Sequence, residues 1–528
     1  MDSRCLFRVT GAALAATALL VPGCSAGSSD GSGGNSAAST NGRAGGTAAP
    51  LEALPEAVPE ELKPYYAQRP RWRSCGLADF ECATLKAPLD YDKPERGKDV
   101  SLAVARQRAR DRTNRIGSLL VNPGGPGGSA IEFVQQQASQ AYPPEVTERY
   151  DLVGVDPRGV ARSEPVKCLT DERMDAHTAV DQTPDSREEV EKLVASYKSF
   201  AKGCERRSGD VLGHVSTVDS ARDMDMVRAV LGDRRLNYVG ASYGTFLGAT
   251  YAGLFPQRSG RLVLDGAMDP SLSALQLNRD QTRGFETAFR AFAKDCVKRA
   301  SCPLGTGDAD SAGERMSELL RRIDERPLRT DTDRRLTESL ATTGVVQSMY
   351  DEGAWPGLRE ALKSAREGDG TPLLELADQY NERGPDGSYG NIMYANSAVN
   401  CLDLPPAFSG PEDAEKAVAS FEKASPVFGR GFAWAALSCT YWQREPTGEP
   451  HRVVAKGAPP MIVTGTTRDP ATPYAWAEGL AGQLAPARLL TYDGDGHTAY
   501  LRAGDCVNRV IDTYLLRGTV PARDTTCD

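Results

Sequence analysis

The sequence has only four histidines among 528 residues, and Lys and Arg together (62) are outnumbered by Asp and Glu (71). A net charge of −9 argues against nucleic acid as a partner, because nucleic-acid binders need a basic face. No Cys-x-x-Cys pair occurs, so the usual signatures of zinc ribbons and thioredoxin-like redox sites are missing. No internal repeat is visible. We therefore expect a globular protein that needs no metal and no other cofactor.

The N-terminus carries a short uncharged run, Val9 to Val21, which follows two arginines. A helix of this length would span about 20 Å, too short for the roughly 30 Å core of a bilayer. The pattern predicts an export signal over residues 1–23. Because the run ends in Val-Pro-Gly before Cys24, which resembles a bacterial lipobox, we expect Cys24 to be lipidated and residues 24–69 to act as a linker. An ordinary secretory signal and a membrane span are the alternatives.

Cysteine counting also favours export. Of the twelve cysteines, Cys5 lies in the signal and Cys24 at the anchor, which leaves an even ten for disulfides. The alternative is that several of them are buried thiols. The spacing suggests that neighbours along the chain pair: Cys75 with Cys82, Cys168 with Cys204, Cys296 with Cys302, Cys401 with Cys439, and Cys506 with Cys527.

Short apolar strands alternate with helical patterns in two parts of the chain. The strands are predicted at 118–122, 150–155, 236–239, 261–265, 460–465 and 488–492, and the helices at 219–231 and 245–255. This alternation predicts an α/β fold with a mostly parallel sheet and helices on both faces. Residues 275–445 show helical periodicity instead. We therefore expect an inserted, mainly helical domain between two parts of one core, 70–274 and 446–528.

A candidate nucleophile is Ser242, in the pattern Gly240-x-Ser242-x-Gly244. Flanking glycines allow a tight strand-to-helix turn that exposes the serine hydroxyl at the helix N-terminus. The pattern alone is weak, since the linker segment 27–31 matches it as well. The apolar strand before Ser242 and the helix after it favour this serine over a structural glycine-rich turn.

A serine needs a base and an acid that orients the base. In the order serine, acid, histidine the base comes last, which selects His497, the final histidine. Asp469 follows the preceding predicted strand and is the expected acid. Asp265 and Asp269, after the fourth strand, are the alternatives, and Asp495 is interpreted as a turn residue. The other three histidines fit surface or local structural roles.

The tetrahedral intermediate needs an oxyanion hole made of backbone N–H groups. Tyr243, directly after the serine, supplies one donor. The glycine-rich loop at 122–127 supplies the other because glycine backbone can approach a ligand closely; Gly125 is favoured and Gly124 is next. This loop lacks the Gly-Lys-Ser/Thr ending of a phosphate-binding loop.

Several motifs together resemble a known family. The loop at 122–127, Asn-Pro-Gly-Gly-Pro-Gly, is similar to the His-Gly-Gly-Pro-Gly loop of the proline iminopeptidases, and 156–163 resembles their Asp-x-Arg-Gly-x-Gly-x-Ser loop. With Gly-x-Ser-Tyr-Gly, the cysteines and the Gly-Thr-x-x-Asp-x-x-Thr-Pro acid loop, residues 70–528 resemble the secreted bacterial tripeptidyl aminopeptidases and their lipoprotein proteinase relatives. Pro123 and Ala161 depart from the iminopeptidase pattern.

The resemblance implies an α/β-hydrolase fold with a helical cap, and a serine exopeptidase that releases short peptides from substrates with free N-termini. We also expect a monomeric protein, lipid-anchored on the outer face of the cell membrane or secreted. An aminopeptidase also needs a carboxylate for the substrate's α-ammonium group, about 10 Å from the serine for three residues. Candidates in the insertion are Glu352, Asp351 and Asp403, although most acids there are interpreted as solvated.

Two other functions fit parts of the sequence. A carboxylesterase or lipase would keep the same three catalytic residues and ignore a substrate amine. A non-catalytic surface-binding lipoprotein would not need serine, acid and histidine in this order on three predicted loops.

Overall fold

A computed structural model describes residues 48–76, 79–94, 97–523 and 525–528. The predicted signal over 1–23 and the predicted anchor, Cys24, lie outside the described residues. Within the described ranges, no helix combines the length and the apolar character that crossing a membrane requires.

Ten strands carry the architecture. They are β1 Arg73–Ser74, β2 Phe80–Pro88, β3 Asp99–Gln107, β4 Gly117–Asn122, β5 Tyr150–Val155, β6 Leu236–Ala241, β7 Ser259–Asp265, β8 Met461–Arg468, β9 Ala487–Asp495 and β10 Thr525–Cys527. The six predicted strands are β4 to β9; β5 has the predicted bounds, and the bounds of the other five differ by one to three residues.

The α-helices surround these strands and fill the long segment between β7 and β8. They are α1 Lys63–Tyr66, α2 Ala130–Phe133, α3 Ser139–Ala141, α4 Pro144–Arg149, α5 Asp171–Thr178, α6 Arg187–Leu212, α7 Thr217–Val230, α8 Tyr243–Leu254, α9 Ala274–Cys296, α10 Ala309–Glu325, α11 Glu338–Gln347, α12 Trp355–Glu367, α13 Thr371–Tyr380, α14 Ile392–Asp403, α15 Pro411–Ala424, α16 Gly429–Ala435, α17 Tyr474–Gln483 and α18 Asp505–Arg517.

The strands form one sheet in the order β1-β2-β3-β5-β4-β6-β7-β8-β9-β10. Neighbours from β5 to β10 are parallel, whereas β1, β2 and β3 add an antiparallel edge. The strand order reverses around β4, which lies between β5 and β6. Ligands of such sheets bind at the carboxyl ends of the strands beside this reversal.

Both faces of the central strands are buried, as the apolar runs of β4 and β5 require. Leu120 and Val153 pack in the cluster that contains α7 and α8, and their neighbours Leu119 and Leu152 pack in the cluster that contains α4 and α18. Alternate residues therefore hold helices on opposite faces of the sheet.

The chain segment between β7 and β8 forms most of a helical layer, which we call the cap. It begins with α9 at Ala274, one residue before the start of the predicted insertion. The sequence analysis did not predict α5 and α6, yet Leu193 and Tyr197 of α6 share a buried cluster with Phe421 and Trp434 of α15 and α16. The cap is therefore built from two separate stretches of the chain.

Ten cysteines form five disulfides, each between the sequence neighbours that the spacing suggested. Such a set is typical of proteins that fold outside the reducing cytosol. The last disulfide joins Cys506, in α18, to Cys527, in β10, and β10 pairs with β9 at Tyr492. It therefore fixes the C-terminal strand beside the strand that leads to His497.

Replacing both Cys506 and Cys527 by Ser should lower the free energy of unfolding by about 3 kcal/mol, because the bridge closes a 21-residue loop. Replacing both Cys296 and Cys302 should cost less, about 2 kcal/mol, because that loop has six residues. Urea unfolding of the two variants measures the difference. An equal or reversed order would contradict the loop-length account.

Candidate active site

Ser242 stands between β6 and α8 in a strained backbone conformation, with φ 57° and ψ −125°. Its neighbours leave no room for side chains. A Cβ on Gly240 would lie 2.4 Å from the carbonyl oxygen of Gly244, and one on Gly244 would lie 2.9 Å from the carbonyl oxygen of Asn122. The Gly-x-Ser-x-Gly spacing is therefore a steric requirement of this turn.

The glycine-rich loop after β4 packs directly on this turn. Gly124 has φ 93°, and a Cβ there would lie 2.5 Å from the carbonyl oxygen of Ala241 and 2.9 Å from the Cβ of Ser242. The next residue, Gly125, lines the same cavity as Ser242. Neither the Gly125 N–H nor the Tyr243 N–H donates a hydrogen bond within the described part of the chain. Both remain available for an oxyanion.

Asp469 and His497 form a buried hydrogen-bonded pair. His497 Nδ1 lies 2.8 Å from Oδ1 and 2.9 Å from Oδ2 of Asp469, whose side chain is fully buried. The backbone N–H of His497 donates to the carbonyl oxygen of Tyr350, and the two rings meet edge to face at 5.4 Å. A residue of the cap thus fixes the orientation of the predicted base.

The Asp469 carboxylate accepts three backbone N–H groups in addition, from Ala471 (2.9 Å), Thr472 (2.8 Å) and Thr498 (3.1 Å). These hydrogen bonds hold the carboxylate in place beside the histidine ring. Thr472 Oγ1 also lies 3.4 Å from His497 Nδ1. Thr472 is the second threonine of the acid-loop motif, and the motif alone predicted no role for it.

The rival acids have other partners. The carboxylate of Asp265 accepts N–H groups from Ala499 and Tyr500, the residues that follow the histidine loop, and burial raises its pKa. Asp269 accepts hydrogen bonds from Ser271 and Gln483. Asp495 pairs with Arg468 at 2.9 Å.

Asp265 also connects the serine to the histidine loop. Its carbonyl oxygen accepts the Ser242 N–H at 2.9 Å, while its carboxylate holds the residues after His497. A Cβ on the next residue, Gly266, would lie 3.3 Å from His497 Cε1. Ser242 Oγ and His497 share no hydrogen bond among the described residues, and such bonds are commonly long before substrate binds.

A cavity of about 410 Å³ opens above Ser242 between the core and the cap. This volume falls within the range of about 300–1,000 Å³ that is typical of ligand pockets. The lining has no Asp, Glu, Lys or Arg among the described residues; its polar side chains are hydroxyls and amides. Aromatic rings complete it, namely Phe285, Tyr350, Tyr380, Phe432 and Trp476.

None of the carboxylates predicted to bind a substrate amine lines this cavity. Asp351 and Glu352 are exposed and lie at the turn before α12. Asp403 is buried at the end of α14 and borders a separate cavity of about 20 Å³. A helical pattern cannot tell an acid that faces a cavity from one that faces solvent or another helix.

Asp403 instead ends a buried chain of hydrogen bonds. It accepts the backbone N–H of Thr217 at 2.8 Å and the Thr217 hydroxyl at 2.5 Å. The Thr217 oxygen lies 2.6 Å from the hydroxyl of Tyr243. When Asp403 is ionised, the threonine proton goes to the carboxylate and the tyrosine donates to the threonine. The chain joins the cap to the residue that follows Ser242.

A parallel sheet, a strained serine at a strand-to-helix turn and a buried aspartate–histidine pair define a serine hydrolase of the α/β-hydrolase fold. Comparison with known families agrees. Residues 117–361 match the alpha/beta hydrolase fold family, and residues 425–527 match the TAP-like protein family.

Similar proteins extend the comparison over most of the chain. Serine protease Hip1 of Mycobacterium tuberculosis is 38% identical over 88% of this chain and 92% of its own. Carboxylesterase B of the same organism is 38% identical over 88% and 91%. Tripeptidyl aminopeptidase of Streptomyces coelicolor is 33% identical over 86% and 85%. The chain belongs to the α/β-hydrolase family that includes these proteins.

The buried Asp403 yields a stability prediction. Burial raises its pKa from 3.8 to about 7, so the fold favours the protonated carboxyl and loses stability as pH rises between those values. Asp403→Asn cannot ionise. Relative to the wild type, this variant should therefore become more stable as pH rises from 5 to 8, measured by urea unfolding at each pH. A difference that does not change with pH would refute this account.

Proposed function

We propose that the protein is a serine exopeptidase that cleaves short peptides from substrates with free N-termini, with Ser242 as nucleophile, His497 as base and Asp469 as the acid that orients it. The observation that carries the proposal is the buried Asp469–His497 pair, at 2.8 Å, beside the cavity that Ser242 lines. The name tripeptidyl aminopeptidase, given to a relative 33% identical to this chain, supports the peptide substrate.

In the first step Ser242 Oγ attacks the carbonyl carbon of the scissile peptide bond, and His497 Nε2 takes the hydroxyl proton. Asp469 stabilises the resulting imidazolium through Nδ1–H. The negative charge moves to the carbonyl oxygen, where the N–H groups of Gly125 and Tyr243 stabilise it.

The intermediate then collapses. His497 returns the proton to the leaving nitrogen, the C–N bond breaks, and the downstream peptide departs as a free amine. The N-terminal fragment remains esterified to Ser242 Oγ. Water, deprotonated by His497, attacks this ester, and the proton returns to Ser242 as the short peptide leaves with a carboxylate.

A carboxylesterase is the second candidate. It is favoured by the uncharged lining of the cavity and by the 38% identity to carboxylesterase B, equal to the identity to serine protease Hip1. The same residues would cleave an ester, but the free amine of the substrate would have no role.

Three substrates separate the two candidates: a tripeptidyl p-nitroanilide with a free amine, its N-acetylated form, and p-nitrophenyl acetate. We predict that the free-amine peptide is cleaved and that acetylation lowers kcat/KM by at least about 100-fold, because it removes the charge and two N–H donors. Equal cleavage of both peptides, or cleavage of the ester alone, would overturn the exopeptidase.

Ser242→Ala serves as the control for this experiment. It should lower kcat on every substrate by about 10⁴-fold or more while the thermal unfolding midpoint stays near that of the wild type. Full activity of this variant would show that Ser242 is not the nucleophile.

We also propose that Cys24 carries a lipid that holds the enzyme on the outer face of the cell membrane. The export signal predicted before it and the five disulfides after it support an extracytoplasmic protein. Two acyl chains anchor stably where one is marginal, at about 0.8 kcal/mol per buried CH₂.

The anchor is tested by detergent phase partition. The wild-type protein should enter the detergent phase, and Cys24→Ala should shift it to the aqueous phase or leave an uncleaved precursor. Mass spectrometry that finds a mature N-terminus elsewhere, without lipid, would refute the anchor and leave the enzyme assignment intact.

A further inference from the structure

The Ser242 cavity is lined by four side-chain amides that come in two pairs. Asn278 and Gln281 are three residues apart on α9, and Asn396 and Asn400 are four residues apart on α14. Residues at these spacings share one face of a helix. Each helix therefore turns a pair of amides toward the cavity.

Hydrogen bonds fix the orientation of these amides. Asn278 Nδ2 donates to the carbonyl oxygen of Ala274 at 2.7 Å, and Gln281 Nε2 donates to that of Ala471 at 2.8 Å. A carbonyl can only accept, so the nitrogen of each amide must face it. The oxygens of Asn278 and Gln281 accept no hydrogen bond from the described residues and are left for a ligand.

Hydrogen bonds fix the orientation of the two amides on α14 in the same way. Asn396 Nδ2 donates to the carbonyl oxygen of Pro126 at 3.3 Å, and its oxygen accepts Asn400 Nδ2 at 3.0 Å. This series of hydrogen bonds starts at a carbonyl and therefore leaves the side-chain oxygen of Asn400 as its free acceptor.

Hydrogen bonds connect these amides to the segments that carry the candidate catalytic residues. Gln281 is tied to Ala471, whose N–H donates to Asp469. Asn400 is tied through Asn396 to Pro126, the residue after Gly125. A peptide whose carbonyl sits in the oxyanion hole would extend into the cavity that these amides line.

We propose that Asn278, Gln281 and Asn400 bind the protonated amino terminus of the substrate through their amide oxygens, in the place of the carboxylate that an aminopeptidase is expected to use. This proposal rests on the proposed exopeptidase function. An ammonium group has three N–H donors and no acceptor, which matches amide oxygens that line one cavity and have no hydrogen-bond donor among the described residues. Neutral acceptors also avoid burying an unpaired carboxylate when the cavity is empty.

One carboxylate stands behind the lining and offers a competing anchor. Glu338 is buried, and its Oε1 accepts the hydroxyl of Thr342, which lines the cavity. Its Oε2 has no partner among the described residues. Because Thr342 lies between Glu338 and the cavity, we assign the contact with the amine to the amides.

The test compares Gln281→Met, Asn278→Leu and Asn400→Leu with the wild-type full chain on the free-amine tripeptidyl p-nitroanilide and on p-nitrophenyl acetate. Each variant should raise KM for the peptide by about 10-fold to 100-fold, the effect of losing one hydrogen bond to a charged group. The ratio of kcat/KM for the peptide to kcat/KM for the ester, which has no amine, should fall by a similar factor.

Gln379→Met is the matched control, because Gln379 is an exposed glutamine of the cap outside the cavity lining. It should change the kinetic constants for neither substrate. Glu338→Gln tests the competing anchor and should also leave the peptide KM unchanged. If Glu338→Gln raises the KM for the peptide and the three amide variants do not, the proposal is overturned.

The remaining outcomes are also decisive. Variants that lose both activities equally would assign the amides a structural role, and variants that match the wild type on the peptide would overturn the proposal while the exopeptidase stands. A wild-type protein that cleaves the ester but not the free-amine peptide would remove the exopeptidase and this proposal together.

Discussion

Ser242 holds a backbone conformation, φ 57° and ψ −125°, that a serine adopts only when its surroundings impose it. Three glycines make the conformation possible: Gly240 and Gly244 on either side, and Gly124 in the loop that packs on the serine Cβ. The same close packing brings Gly125 to the cavity that the serine lines. Ser242 and the loop that contains Gly125 are therefore positioned by one steric constraint.

Asp265 extends this constraint to the histidine. Its carbonyl oxygen holds the Ser242 N–H, and its buried carboxylate holds the N–H groups of Ala499 and Tyr500. Asp469 then orients the ring of His497 from the neighbouring strand end, while Tyr350 of the cap accepts the His497 N–H. Core and cap both contribute to the geometry of His497, so the cap forms part of the candidate site and also covers it.

The sequence predicts much of the core because short-range patterns carry that information. Apolar runs identify β4 to β9, and the fixed order of serine, acid and histidine selects Ser242, Asp469 and His497. The antiparallel strands β2 and β3 were not predicted, nor was the part of the cap formed by α6. Their positions depend on packing between segments that are far apart in the chain.

The cap residues that face the cavity could not be predicted for the same reason. Asp403 and Glu352 sit on helices and turns where a solvated acid, a buried acid and a ligand-binding acid give the same pattern. The amides of α9 and α14 resemble ordinary polar surface residues until the fold turns them toward Ser242. Only the hydrogen bonds that their side-chain nitrogens donate distinguish these amides from ordinary polar surface residues.

Labelling with a fluorophosphonate followed by peptide mass spectrometry tests the central assignment most directly, because the reagent requires an activated serine. The account predicts one adduct per chain, on Ser242, and its loss when His497 is replaced by Ala. No adduct, or an adduct on another serine, would contradict it.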